Sequence, residues 1–236
     1  MSTQPMYLRN WDNFWRETVR KEGAILWDCE PEGAIAYDYE RFRSHMDPSL
    51  PMIDLGCGHG RQTRFLAEHY EQSFGLDISG EAIRLARRTN SMPRLEYRQF
   101  DATRSGEAQE FHQQNGDCNL YMRGVLHQIR KEDRQVLLES IATLLGNRGC
   151  AYFIEPRSRA ERIFAPILKF GGPESLRRVF KNGIEPIGLS DDELAALIPR
   201  GYQLRLAGVS PLQHLKLAGF ISLPIPGTVA FMNKAS

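Results

Sequence analysis

The chemistry in this sequence is concentrated in one glycine-rich turn and three carboxylates set at fixed distances from it. Ile53-Asp54-Leu55-Gly56-Cys57-Gly58-His59-Gly60 places a short apolar run directly before the turn. Such a turn lets the backbone approach a ligand that side chains would keep away. Spacing narrows the ligand. A dinucleotide turn is written G-x-G-x-x-G, but Arg61 stands where its third glycine belongs, and Gly60 comes one residue early. A triphosphate loop needs Gly-Lys-Ser/Thr, which is absent. Asp54, just ahead of the turn, repels a pyrophosphate and attracts a cation such as an amino group beside a sulfonium. Asp77 lies nineteen residues after Gly58, where a carboxylate can accept both hydroxyls of a ribose. Asp101 lies twenty-four residues further on, placed to accept from an adenine amino group, with Ile78 packing on the ring.

These residues, Asp54 to Gly60, Gly75-Leu76-Asp77-Ile78-Ser79 and Phe100-Asp101-Ala102, resemble the class I S-adenosylmethionine-dependent methyltransferases. The resemblance implies a Rossmann-like, seven-stranded, mostly parallel sheet with helices on both faces. It implies S-adenosyl-L-methionine as cofactor and S-adenosyl-L-homocysteine as product. It places Gly56, Cys57 and Gly58 against the methionine part, Asp77 on the ribose, and Asp101 with the Ala102 amide on the adenine. Tyr121-Met122-Arg123-Gly124-Val125-Leu126-His127 is similar to the family's segment after strand four, which puts Arg123 beside the cofactor's amino end. The resemblance covers about residues 50–155 and the closing strands. It does not extend well to the N-terminal arm or to the insertion after residue 155.

Elements that can position these groups alternate along the middle of the chain. Met52–Leu55, Ser73–Leu76, Leu95–Phe100, Asn119–Met122 and Ala151–Ile154 read as strands. Arg61–Tyr70, the segment after Ser79 and Lys131–Leu145 read as helices; Ser79 is a good N-cap and Gly146 a stop. Val136, Leu137, Ile141, Leu144 and Leu145 form the clearest apolar stripe. Strands alternating with helices call for crossover connections and a parallel sheet covered on both faces. The expected organisation is one domain: an aromatic helical arm over 1–48, a cofactor-binding core over 49–155, an inserted lid over 156–200 and closing strands over 201–236. Within the lid, Ser190-Asp191-Asp192-Glu193 is a capping box. Gln203–Val209 and Thr228–Met232 alternate as the last two strands.

His127 is the candidate catalytic residue, because it follows the fourth strand at the edge where open parallel sheets gather ligands. It could serve as general base or simply orient its loop, and both readings stand. Glu155 and Arg157 face the same edge, and Glu155 could touch a polar group of the substrate. Trp27 and Tyr37, in the aromatic arm, are candidates for substrate contact against the alternative of plain packing. Ile163, Phe164, Ile167, Leu168 and Phe170 could line an apolar pocket or fill the lid's own core.

Thirty basic residues balance twenty-nine acidic ones over 236 residues, which removes the basic excess expected of a nucleic-acid binder. No basic amphipathic segment points to a membrane surface. No apolar run approaches the roughly 18 residues that span a bilayer. The start lacks the charged and apolar regions of a secretory signal. Four cysteines without a C-x-x-C pair indicate free thiols in a reducing cytoplasm, and no metal set is legible. The Asn/Asp-Pro-Pro-Tyr/Phe motif of adenine and amino-group methylases is absent, as is the paired-glutamate loop of arginine methyltransferases. By exclusion the acceptor is a small, partly apolar molecule of the secondary-metabolite kind. The competing readings are a cofactor-binding regulator without catalysis, a protein methyltransferase and a nucleotide-dependent oxidoreductase; oligomeric state is left open.

Overall fold

The computed structural model describes residues 4–18, 25, 34–157, 169, 174–184, 188–217 and 221–235. Its strands are β1 (Met52–Leu55), β2 (Ser73–Asp77), β3 (Leu95–Gln99), β4 (Asn119–Arg123), β5 (Cys150–Pro156), β6 (Tyr202–Leu217) and β7 (Ile221–Lys234). They form one seven-stranded sheet in the order β3-β2-β1-β4-β5-β7-β6. The first five strands run parallel, and β7 enters antiparallel beside β5 with β6 outside it. This is the Rossmann-like sheet that the alternating pattern implies, and the reversal of order between β1 and β4 creates a crevice at their C-terminal ends.

Burial follows position in the sheet. Every residue of β1, β2 and β5 is buried, as interior parallel strands require, whereas the edge strand β3 alternates Leu95-Glu96-Tyr97-Arg98-Gln99 with only Tyr97 buried. Side chains from successive residues feed two cores. Ile53, Leu120, Met122 and Phe153 pack on one face with Leu137, Leu138 and Ile141 of α6 (Lys131–Leu145). Met52, Tyr121, Tyr152 and Ile154 pack on the other with Ile35 and Phe42 of α2 (Ile35–Phe42) and Leu66 of α3 (Arg61–Ala67). The α6 stripe differs in detail from the expected one: Leu138 is buried and Val136 only half-buried. Ser79 caps α4 (Gly80–Thr89) by accepting from the Ala82 amide at 3.2 Å. The helix α5 (Ser105–Asn115) has no legible period because it buries only Ala108 and Phe111.

Helix α1 (Gln4–Thr18) lies across the C-terminal edge and is fastened along its length. Asp12 accepts from the Ser79 hydroxyl at 2.6 Å, Arg16 pairs with Glu81 at 3.2 Å, and Glu17 pairs with Lys181 of α7 (Glu174–Lys181) at 3.1 Å. Tyr7 donates to Asp133 and accepts from the Arg130 amide, both at 2.8 Å. Phe14 and Trp15 are buried with Ala82, Val179 and Ile184. The capping box at Ser190 is formed and opens α8 (Asp191–Ala196). The two closing strands run well beyond the expected bounds as a long hairpin; register shifts between Leu206 and Val209 and between Pro211 and Gln213 mask its alternation. No helix among the described residues is long and apolar enough to cross a membrane.

Candidate active site

Parallel strands bring Asp54, Asp77 and Asp101 to one edge, where all three line a single cavity with Gly56, Cys57, Gly58, Ile78 and Ala102. Asp77 accepts from the Gly58 amide at 2.9 Å through one oxygen and from the Ser79 amide at 2.8 Å through the other. An ionised carboxylate offers about four lone-pair sites, so each oxygen keeps room for a ligand hydroxyl. Burial pushes the Asp77 carboxyl up to about 6, against the pull of those two amides. Asp54 accepts from the Thr63 hydroxyl at 2.6 Å; burial and then the charge of Asp77 raise it to about 7, the hydroxyl opposing. The two carboxylates sit in a water-poor place that a cation would relieve. Asp101 holds its own turn, accepting at Oδ1 from the Thr103 amide at 3.0 Å and hydroxyl at 2.6 Å. Its Oδ2 has no partner among the described residues.

The glycines are required for different reasons. A Cβ on Gly58 would stand 2.8 Å from the Trp15 ring, so this left-handed residue (φ 55°) lets the α1 indole close down on the turn. The Trp15 Nε1–H is buried and lacks an acceptor among the described residues. Gly60 is required for packing. It does not line the cavity, and a Cβ there would stand 2.4 Å from the Tyr97 hydroxyl, which donates to the Gly60 and Asn90 carbonyls at 3.0 Å each. Its role is to admit the β3 tyrosine beneath the turn, a partner 37 residues away that local spacing cannot show.

The segment after β4 is organised by Glu155. One carboxylate oxygen accepts from the Val125 and Leu126 amides at 2.9 and 2.8 Å; the other accepts from the His127 amide at 3.1 Å and from His127 Nδ1 at 2.9 Å. Glu155 is only 2% exposed and does not line the cavity, so it is a positioning residue and not the substrate contact that the sequence suggested. A carboxylate cannot donate, so Nδ1 carries the imidazole proton. Nε2 of neutral His127, which lines the cavity, is left with its lone pair.

Arg123 also lines the cavity, with its guanidinium against Asp38 and the Pro211 and Leu212 carbonyls. Asp38, 1% exposed, further accepts from Tyr121 at 3.0 Å and Tyr152 at 2.8 Å. Arg123 thus ties β4 to α2 and β6. Tyr37 is 57% exposed and outside the cavity, its ring meeting the Arg41 guanidinium instead. Trp27, with Asp28, Cys29, Glu30 and Pro31, lies outside the described residues, as do Ile163, Phe164, Ile167, Leu168 and Phe170. Arg157 makes a long surface pair with Asp191 at 3.9 Å. The sequence reading missed several lining residues: Tyr7, Trp15, Gln128, Leu176, Val179 and Leu212. Only the aromatic content of the arm hinted at the first two.

A cofactor with a sulfonium, an ammonium, a carboxylate, a ribose diol and an adenine finds a matching group here for each part: carboxylates at Asp54 and Asp77, the orphan Trp15 indole N–H, and the open Asp101 oxygen. The fold and the groups lining the cavity at the ends of β1 to β3 fit a cofactor of this kind. Residues 52–149 match the methyltransferase domain family. The chain is 27% identical over 188 residues to trans-aconitate 2-methyltransferase of Azoarcus sp. (strain BH72), covering 79% of this chain and 70% of that protein. It is similar to the crystal structure of an S-adenosylmethionine-dependent methyltransferase from Anabaena variabilis ATCC 29413, with a TM-score of 0.90 and 28% identity over 100% of this chain and 96% of that one. Magnesium protoporphyrin IX methyltransferase of Synechocystis PCC 6803, solved with S-adenosylhomocysteine, shares the fold at a TM-score of 0.60 and 12% identity, over 99% and 98% of the two chains. The chain is a class I S-adenosylmethionine-dependent methyltransferase.

Proposed function

We propose that this enzyme methylates a small, partly apolar acceptor enclosed between the sheet edge, α1 and α7, with His127 as general base. The observation that carries the reading is the pair of buried carboxylates, Asp54 and Asp77, on the wall of a cavity that His127 shares. Asp77 takes the ribose hydroxyls, Asp101 and the Ala102 amide take the adenine edge, and Ile78 packs on its face. Asp54 with Gly56, Cys57 and Gly58 surrounds the methionine part, whose carboxylate meets the Trp15 N–H. Arg123, already neutralised by Asp38, shapes the amino end and does not bind it as a free charge.

The cofactor supplies an already activated methyl group, so the protein's contribution is alignment, exclusion of water and disposal of one proton. The acceptor would take the methyl group as the cofactor becomes S-adenosyl-L-homocysteine, and the proton the acceptor gives up passes to His127 Nε2. Glu155 stabilises the imidazolium that results. Val125, Ile129, Leu176, Val179, Ile184 and Leu212 supply an apolar lining suited to a secondary-metabolite-like acceptor.

Calorimetric titration with S-adenosylmethionine, S-adenosylhomocysteine and NADH, on wild type and Asp77→Ala, tests the cofactor assignment. Micromolar binding of the first two, none of NADH and a loss of about a hundredfold in Asp77→Ala are expected. Undiminished binding in Asp77→Ala refutes the ribose assignment, and binding of NADH alone refutes the whole reading.

A further inference from the structure

Gln128 lines the same cavity one residue after His127, and its amide is only half explained by the protein. Its Nε2 donates to the Gly124 carbonyl at 3.1 Å, which fixes the orientation of the amide. That leaves Oε1 as an acceptor, and Oε1 is buried with no donor within reach among the described residues. A buried carbonyl without a partner is costly and uncommon in native proteins, and at a ligand cavity the missing partner is naturally a ligand donor. The preceding residue repeats the pattern. His127 is 7% exposed, its Nδ1–H is committed to Glu155, and its Nε2 has no partner among the described residues. Sequence-adjacent residues of one tight turn (Leu126–Gln128) therefore both supply acceptors to this wall. No compensating free cation comes from Arg123, whose guanidinium is held by Asp38 and two carbonyls.

We propose that Gln128 reads the acceptor substrate by accepting a second hydrogen bond beside the nucleophile, so that the enzyme selects molecules with two adjacent O–H or N–H donors and disfavours carboxylates. This rests on the reading of His127 as base. One donor of the substrate is the reacting group, whose proton goes to His127 Nε2; the neighbouring donor satisfies Gln128 Oε1. A carboxylate acceptor brings lone pairs against lone pairs at both places. The specificity would thus depart from that in the name of the relative from Azoarcus, since trans-aconitate offers only carboxylates.

The test titrates the protein first with S-adenosylhomocysteine and then, in its presence, with catechol, phenol, benzoate and trans-aconitate. Catechol is expected to bind about tenfold or more tighter than phenol, the value of one hydrogen bond to an otherwise unsatisfied buried acceptor. Benzoate and trans-aconitate are expected to bind more weakly than phenol. Gln128→Leu should abolish the catechol preference without weakening phenol, and Gln128→Met, closer in shape, should do the same if the leucine variant is unstable. Catechol binding no tighter than phenol, tighter binding of either acid, or an unchanged preference in the variants overturns the proposal. Failure of S-adenosylhomocysteine itself to bind overturns the cofactor reading instead, and with it this one.

Discussion

The substitution Glu155→Gln exchanges one carboxylate oxygen for an NH2 group and tests how the site is built. The side-chain oxygen of the introduced glutamine can still accept from the Val125 and Leu126 amides, which share one carboxylate oxygen in the native protein. The new NH2 then faces two donors, the His127 amide and His127 Nδ1–H. The imidazole escapes by moving its proton to Nε2 and accepting at Nδ1, but the backbone amide has no such choice. One buried N–H left unsatisfied costs about 1–3 kcal/mol. For a chain of this length each kcal/mol lowers Tm by about 2–4 °C, so a fall of about 5 °C is expected. The tautomer change turns the acceptor nitrogen facing the cavity into a donor and removes the charge that supports imidazolium. General-base assistance of about 10²–10⁴ in rate should disappear with it. Nitrogen NMR of the imidazole reads the tautomer directly, thermal melting reads the stability, and S-adenosylhomocysteine titration should show cofactor binding nearly unchanged. A variant whose Nε2 stays unprotonated and whose Tm matches wild type would refute this account of the Glu155–His127 pair.

Trp15→Phe keeps the ring over Gly58 and removes the orphan N–H; S-adenosylmethionine affinity should fall about tenfold by calorimetry with Tm little changed, and an unchanged affinity removes Trp15 from the cofactor site. The raised Asp54 and Asp77 carboxyls make the free protein hold protons that the unfolded chain releases. Its stability should therefore fall as pH rises from about 4 to about 7. Affinity for the cationic cofactor should run the opposite way, rising up to about tenfold per pH unit for each carboxyl released below about 6 and 7; a flat profile over that range in melts and titrations contradicts it. Asp38→Ala strands the Arg123 guanidinium and two tyrosine hydroxyls, and should cost about 3–5 kcal/mol, read as a Tm loss of about 10 °C.

What the sequence determined by itself is the part of the site governed by local geometry. A strand that enters a glycine turn and a helix puts Asp54, Gly56 and Gly58 in a definite relation. The strand ends at Asp77 and Asp101 follow from the same repeated unit, because in a parallel sheet all these ends face one edge. Composition then sufficed to set nucleic acid aside as an expectation. The tertiary structure decided everything carried by contacts between distant residues. Gly60 serves Tyr97, Glu155 serves the turn 28 to 30 residues before it, and Arg123 is spoken for by Asp38, 85 residues away. Helix α1 is held over Gly58 by the packing of Phe14 and Trp15 on Ala82 and Val179, by Tyr7 on Asp133, and by the partners that Asp12, Arg16 and Glu17 find at Ser79, Glu81 and Lys181. None of these pairings leaves a periodic or spacing signal, since the distance between partners along the chain is set by whatever folds between them. The carboxylates and glycines at the strand ends were legible for that reason, and the contacts of Glu155 with the turn at His127 were not.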